Sequence, residues 1–192
     1  MSDKEDLPSG ETKRLIVGKK GIYGETPAVL LVDPKYAHNV AAAVRGASCF
    51  GFKQVWFTGN RVQLSDGQRL PREERMRGYD EVTLVQNDYP FDCFPAGVTP
   101  VAVEVRPNSE SLPEFEHPEN PLYVFGPEDS GLQRVVLQHC HRFVSIPVRH
   151  CMNLSAAVYV VLYDRAAKRR RAGLEDMSTI KDTIAEGRSW AR

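Results

Sequence analysis

Short apolar runs rich in β-branched and aromatic residues alternate along the chain with longer stretches whose apolar positions recur at helical spacing. The runs at 28–32, 54–58, 81–85, 100–105, 122–125 and 142–146 are each bounded by Gly, Pro, Asn or Asp, and they predict six strands. Helical spacing predicts helices over 39–50, 128–139 and 153–171, with a weaker helix over 68–78. Strands that alternate with helices in this way pack as a mostly parallel sheet with helices on both faces, so the expected fold class is α/β.

The last helix departs from an amphipathic pattern. Ala156, Ala157, Val158, Tyr159, Val160, Val161 and Leu162 follow one another without a polar residue. No side of that segment suits water, so either the rest of the chain or a second subunit covers it.

At 192 residues the chain suits one domain with a sizeable core. Residues 1–24 read as an arm and lead-in, 25–171 as the domain, and 172–192 as a polar tail. Basic and acidic residues balance at 25 each, so contact with a polyanion depends on local clusters rather than on net charge. No run reaches the ~20 apolar residues of a membrane span and the charged start has no apolar core. Cys49, Cys93, Cys140 and Cys151 form no CxxC pair, which suits buried free thiols in a reducing compartment, and the expected location is the cytoplasm.

Three segments carry candidate chemistry. In the first, Asn39-Val-Ala-Ala-Ala-Val-Arg-Gly-Ala, Asn39 reads as a helix cap. Arg45 lies roughly 9 Å further along the axis, either extending to solvent or serving a pocket at the strand ends. In the second, Phe125-Gly-Pro-Glu-Asp-Ser-Gly-Leu, Glu128 and Asp129 suit a first helical turn, while Gly126 permits a ligand to approach the backbone closely. In the third, Ile146-Pro-Val-Arg-His-Cys-Met-Asn-Leu-Ser-Ala-Ala-Val, Asn153 or Ser155 can cap the apolar helix.

Taken in this order, the three segments resemble the signature motifs of the TrmH/SpoU family of RNA ribose 2′-O-methyltransferases, in the SPOUT superfamily. The resemblance runs over residues 28–164 and includes the linker Leu-Pro-Glu-Phe-Glu-His-Pro-Glu. It implies a domain whose C-terminal part is threaded into a deep trefoil knot, a feature that general topology rules do not suggest. It also implies S-adenosylmethionine as cofactor, a homodimer with the site near its interface, and tRNA or rRNA rather than DNA as partner. Asn39 and Arg45 match the family's first-motif asparagine and catalytic arginine, Glu128 its second-motif glutamate, and Asn153 its third-motif asparagine. Gly126, Ile146 and Met152 match positions that line the methyl donor. The loop 147–152 is shorter than in many members, and Cys151 stands where many carry serine.

Transfer of a methyl group to a ribose oxygen is an in-line displacement in which the protein positions the oxygen and assists loss of its proton. A guanidinium stays charged at neutral pH, so Arg45 is expected to stabilise phosphate and alkoxide charge before it acts as a base. His139, Cys140, His141, His150 and Cys151 lack the spacing of zinc ligand pairs, and no metal is expected. The basic stretches 69–77 and 168–171 are the candidate RNA contacts. A non-catalytic knotted RNA-binding adaptor is the rival reading. An unknotted nucleotide-binding domain ranks below it, because no Gly-rich phosphate loop follows the first predicted strand.

Overall fold

The computed structural model describes residues 16–17, 22–64 and 81–174. The weaker helix over 68–78, the basic stretch 69–77 and most of the polar tail lie outside the described residues. Eight strands form one sheet: β1 (Ile16–Val17), β2 (Ala28–Leu31), β3 (Gln54–Phe57), β4 (Thr83–Gln86), β5 (Thr99–Val103), β6 (Glu110–Ser111), β7 (Pro121–Phe125) and β8 (Arg142–Ser145). Their order is β1-β4-β3-β2-β7-β5-β8-β6, and every described pairing is parallel. The helices are α1 (Ala37–Cys49), α2 (Arg134–Leu137) and α3 (Leu154–Arg171).

Alternation along the strands divides the core in two. Val29, Leu31, Val55, Phe57, Tyr123 and Phe125 pack with residues of α1 and α3 on one face. Ala28, Leu30, Trp56, Leu122 and Val124 pack on the other with Leu132, Cys140 and partly buried side chains of α2 and the short turn Pro90–Cys93. A strand covered on both faces reads as a continuous apolar run, which is why 28–31 and 121–125 carry no polar alternation. Each fully buried large side chain contributes about 1.5–3 kcal/mol relative to its exposed state.

The six predicted strands are present with small shifts of their ends. β1 and β6 are two residues each, too short for any periodicity to register. β8 is inserted between β5 and β6, although both precede it in sequence. The segment that joins β5 to β6 therefore spans β8, and Glu104 N–H donates to Val144 O of β8 at 2.9 Å.

Two helical expectations need correction. The helix starts at Ala37 with Tyr36 as its N-cap residue, not after an Asn39 cap, because the Asn39 side chain is engaged by another segment. The helix expected over 128–139 is confined to Arg134–Leu137. A helix begun at residue 128 needs Leu132 N–H to bond back to the Glu128 carbonyl, and that N–H instead donates to Glu104 Oε2 at 2.7 Å. At the third helix the expectation holds: Asn153 caps α3, its side chain accepting from Ala156 N at 3.2 Å.

Candidate active site

The ends of β2 and β7 lie side by side where the chain's strand order reverses, a position at which parallel α/β sheets characteristically leave a crevice. The first turn of α1, the loop after β7 and the cap of α3 meet there. Asn39, 1% exposed, donates through Nδ2 to Glu128 Oε1 at 2.6 Å. Asn153 Nδ2 donates to Asn39 Oδ1 at 3.0 Å, and Ser155 Oγ donates to Asn153 Oδ1 at 2.7 Å. The asparagine of the first segment thus bridges the glutamate of the second and the asparagine of the third.

Glu128 also accepts from Lys35 N at 2.7 Å. Burial alone pushes its carboxyl up, but the bonds from Asn39 and from nearby backbone N–H groups outweigh burial and hold it below the usual carboxylate range. The carboxylate is therefore a fixed negative charge beside the N-terminus of α1. Next to it, Arg61 grips Asp129 with both nitrogens, at 3.0 and 2.6 Å, and lies 3.6 Å from Asp33. This clamp joins the loops after β2, β3 and β7.

Beyond Glu128 a cleft of about 920 Å³ opens at the ends of β5, β7 and β8. Gly126, Ile146 and Met152 line it, as does Glu128, together with Glu104 and Leu154. A Cβ at Gly126 would stand 3.2 Å from Leu132 N, so the glycine lets the loop fold closely back on the strand end. Arg45 is not among the lining residues. It sits half-buried on α1, on the outer stripe formed with His38, Ala42 and Cys49.

The remaining candidates separate. Lys168 is turned inward: its Nζ contacts Asp164 at 2.7 Å and donates to Phe115 O at 3.0 Å and to Leu112 O. Arg169 bonds Glu119 at 2.7 Å. Only Arg170 and Arg171 of that run are exposed. His139 stacks on Phe91 with centroids 4.5 Å apart, and burial pushes the Cys140 thiol up to about 12. Among the described residues no group of three or more His, Cys, Asp or Glu is arranged to hold a metal ion, and no helix is long and apolar enough to cross a membrane.

Sequence reasoning missed Glu104, Arg61 and a buried chain from Tyr123 through His117 to Asp164, with contacts of 2.5 and 2.8 Å. Isolated charged residues in loops give no periodic signal. The only hint was that Glu104 falls within the last two residues of the predicted strand 100–105, near the end where parallel sheets carry ligands.

The parallel sheet, the crevice at its reversal point and the bonded trio Glu128, Asn39 and Asn153 define a class of α/β protein, and a model of the SpoU rRNA methylase family matches residues 27–163. The chain belongs to that family. A curated relative, the tRNA (cytidine-2′-O-)-methyltransferase TrmJ of Methanocaldococcus jannaschii, is 28% identical over 165 residues, covering 79% of this chain and 72% of the relative. The fold resembles that of an A. aeolicus TrmH/SpoU tRNA modifying enzyme, with TM-score 0.67 at 17% identity, covering 85% of this chain and 86% of that one. It also resembles the SpoU methyltransferase AviRb from Streptomyces viridochromogenes in complex with the cofactor AdoMet, with TM-score 0.63 at 19% identity, covering 80% of this chain and 61% of that one.

Proposed function

We propose that this chain is an S-adenosylmethionine-dependent RNA methyltransferase that modifies a ribose 2′-hydroxyl of tRNA. The observation that carries the proposal is the bonded chain Glu128–Asn39–Asn153 at the mouth of the cleft, where three segments distant in sequence converge. Family membership and the tRNA-methylating relative support the same reading.

The cleft suits the donor on chemical grounds. Its volume of about 920 Å³ falls within the range of sites for small ligands. Ile146, Met152 and Leu154 offer an apolar wall to a flat base, while Glu104 and the backbone around Gly126 offer polar groups. When bound, S-adenosylmethionine supplies the electrophilic methyl group. The protein's share is to hold the ribose oxygen in line and to stabilise charge as its proton leaves. In this reading Gly126, Ile146 and Met152 hold the donor, and Glu128, Asn39 and Asn153 fix the loops around it. Arg45 is the cation that meets the developing alkoxide and the neighbouring phosphate.

The same reading includes a homodimer. Phe50, Tyr159 and Tyr163 form an aromatic edge across α1 and α3, with centroid separations of 6.5 and 6.4 Å, and Tyr163 is 65% exposed. A second copy packed on α1 and α3 covers that edge and brings the outer stripe of α1, with Arg45, to the interface. It also includes a C-terminal knot, in keeping with the placement of β8 between β5 and β6, which both precede it in sequence, and a cytoplasmic location, where tRNA is found.

The test is transfer of labelled methyl groups from S-adenosylmethionine into total RNA, followed by nucleoside analysis. A 2′-O-methylated nucleoside in the tRNA fraction is expected. RNA binding without label incorporation in any fraction overturns the enzyme in favour of an RNA-binding adaptor.

A further inference from the structure

We propose that Glu104 is the positioning residue of the donor pocket: its carboxylate holds the loop 126–132 in the non-helical course that keeps the cleft open, and Gly131 is glycine in order to admit it. The proposal rests on the reading of the cleft as the donor's site.

Glu104 follows the last residue of β5 and lines the cleft. Its Oε2 accepts from Leu132 N at 2.7 Å, and its Oε1 from Val105 N at 3.0 Å. Its own N–H donates to Val144 O at 2.9 Å. One residue thus ties together the ends of β5 and β8 and the loop that leaves β7, which are the three walls of the cleft.

The loop has an alternative to this course. Residues 128–139 carry a helical pattern, and the bond that would begin such a helix is Leu132 N–H to the Glu128 carbonyl. Leu132 is 7% exposed, so its N–H needs a partner inside the protein. With the carboxylate present, that partner is Glu104 and the loop stays open. Without it, the helical bond is the nearest substitute, and winding the loop displaces Glu128 from Asn39.

Gly131 supplies the second observation. A Cβ there would stand 2.9 Å from Glu104 Oε2 and 3.4 Å from its Cδ. A side chain at 131 therefore requires the carboxylate to shift from its place on Leu132 N. The glycine and the glutamate are therefore two halves of one device, which predicts that their mutational effects do not add.

The experiment measures S-adenosylmethionine and S-adenosylhomocysteine affinity by calorimetry for the full chain and for Glu104→Ala, Glu104→Gln, Gly131→Ala and the double variant Glu104→Ala/Gly131→Ala. Amide exchange at Leu132 is followed without ligand. Loss of a charge-assisted hydrogen bond predicts weakening of about tenfold for Glu104→Ala. Gly131→Ala is expected to weaken binding by less than Glu104→Ala, and the double variant no more than Glu104→Ala alone. Glu104→Gln keeps an amide oxygen for Leu132 N and gives up only the solvent-exposed bond from Val105 N, which its NH₂ cannot accept; it is expected to lose less affinity than Glu104→Ala, which separates a placed acceptor from general damage to the fold. Exchange protection at Leu132 should fall in Glu104→Ala and persist in Glu104→Gln. Wild-type affinity in Glu104→Ala, or losses that multiply in the double variant, overturns the proposal. If wild type binds neither ligand, the donor-site reading falls and this proposal's pocket role with it, while Leu132 exchange still decides whether the clamp exists.

Discussion

Asn39 Nδ2 stands 2.6 Å from Glu128 Oε1, and this bond joins the first helix to the loop after β7 across 89 positions of chain. Because Asn39 also accepts from Asn153, the amide has both ends engaged and cannot serve as a helix cap. Its orientation is set by what it connects.

Glu128→Gln should therefore be more damaging than its shape suggests. The glutamine turns an NH₂ toward either Asn39 Nδ2 or Lys35 N, both of which are donors, so one bond becomes a repulsive contact. A loss of about 1–2 kcal/mol in stability is expected. The sign with pH follows from a folded pKa held below the usual 4.5. The carboxylate's contribution is present above that ordinary value and is lost as pH falls through the folded one. Thermal melts of the two proteins should differ at neutral pH and converge in acid; a constant difference down to pH 2 contradicts this account.

The acidic limb has a second contributor. Burial, the largest cause, lowers the His117 pKa below its usual 6.5, and the bond to Asp164 only partly offsets it. A base whose folded pKa is depressed binds fewer protons than the unfolded chain in the interval between the two values, so stability falls as pH drops from about 6.5 toward the folded value. His117→Asn should flatten the dependence of melting temperature on pH between 7 and 5. An unchanged slope removes His117 from the explanation.

The basic run at the end of α3 should divide by function. Lys168→Gln loses an ion pair to Asp164 and carbonyl contacts to the linker after β6, so it should destabilise the fold by about 1–3 kcal/mol. Arg170 and Arg171 are exposed, and their replacement by glutamine should leave the melting temperature unchanged. If they contact phosphates, the slope of RNA affinity against salt falls by about one per lost contact. An equal fall in melting temperature for both sets contradicts this division.

What the sequence made legible follows from range and repetition. The strands at 28–31 and 121–125 are buried on both faces, so their composition alone marks them. Asn39, Glu128 and Asn153 were marked by their motifs, although their bonding to one another was not. Glu104 and His117 were invisible because each acts through a partner far away in sequence: Glu104 through Leu132, 28 positions on, and His117 through Asp164, 47 positions on. The same cause misplaced the start of α2. Local pattern favoured a helix from 128, and a carboxylate from another strand end captured the N–H that helix needed.

Arg45 carries the most demanding prediction, because it lies off the cleft of its own chain and is nevertheless assigned to the chemistry. The assignment rests on where negative charge develops. The ribose oxygen and the adjacent phosphate both call for a fixed cation, whereas a sulfonium donor repels one. Arg45→Ala should accordingly leave S-adenosylmethionine affinity intact and lower single-turnover methylation of tRNA by ~10² or more, the scale for removing one preorganised donor from a transition state. Arg45→Lys should restore little, since an ammonium lacks the planar fork that meets two oxygens at once. If the dimer brings Arg45 to its partner's cleft, mixing Arg45→Ala with a donor-site variant such as Gly126→Trp should recover activity in heterodimers, each of which keeps one intact site. Near wild-type methylation by Arg45→Ala reduces the residue to an outer position on α1. Inactivity of the mixed dimers, with each parent variant correctly folded, instead places Arg45 and the donor on the same chain.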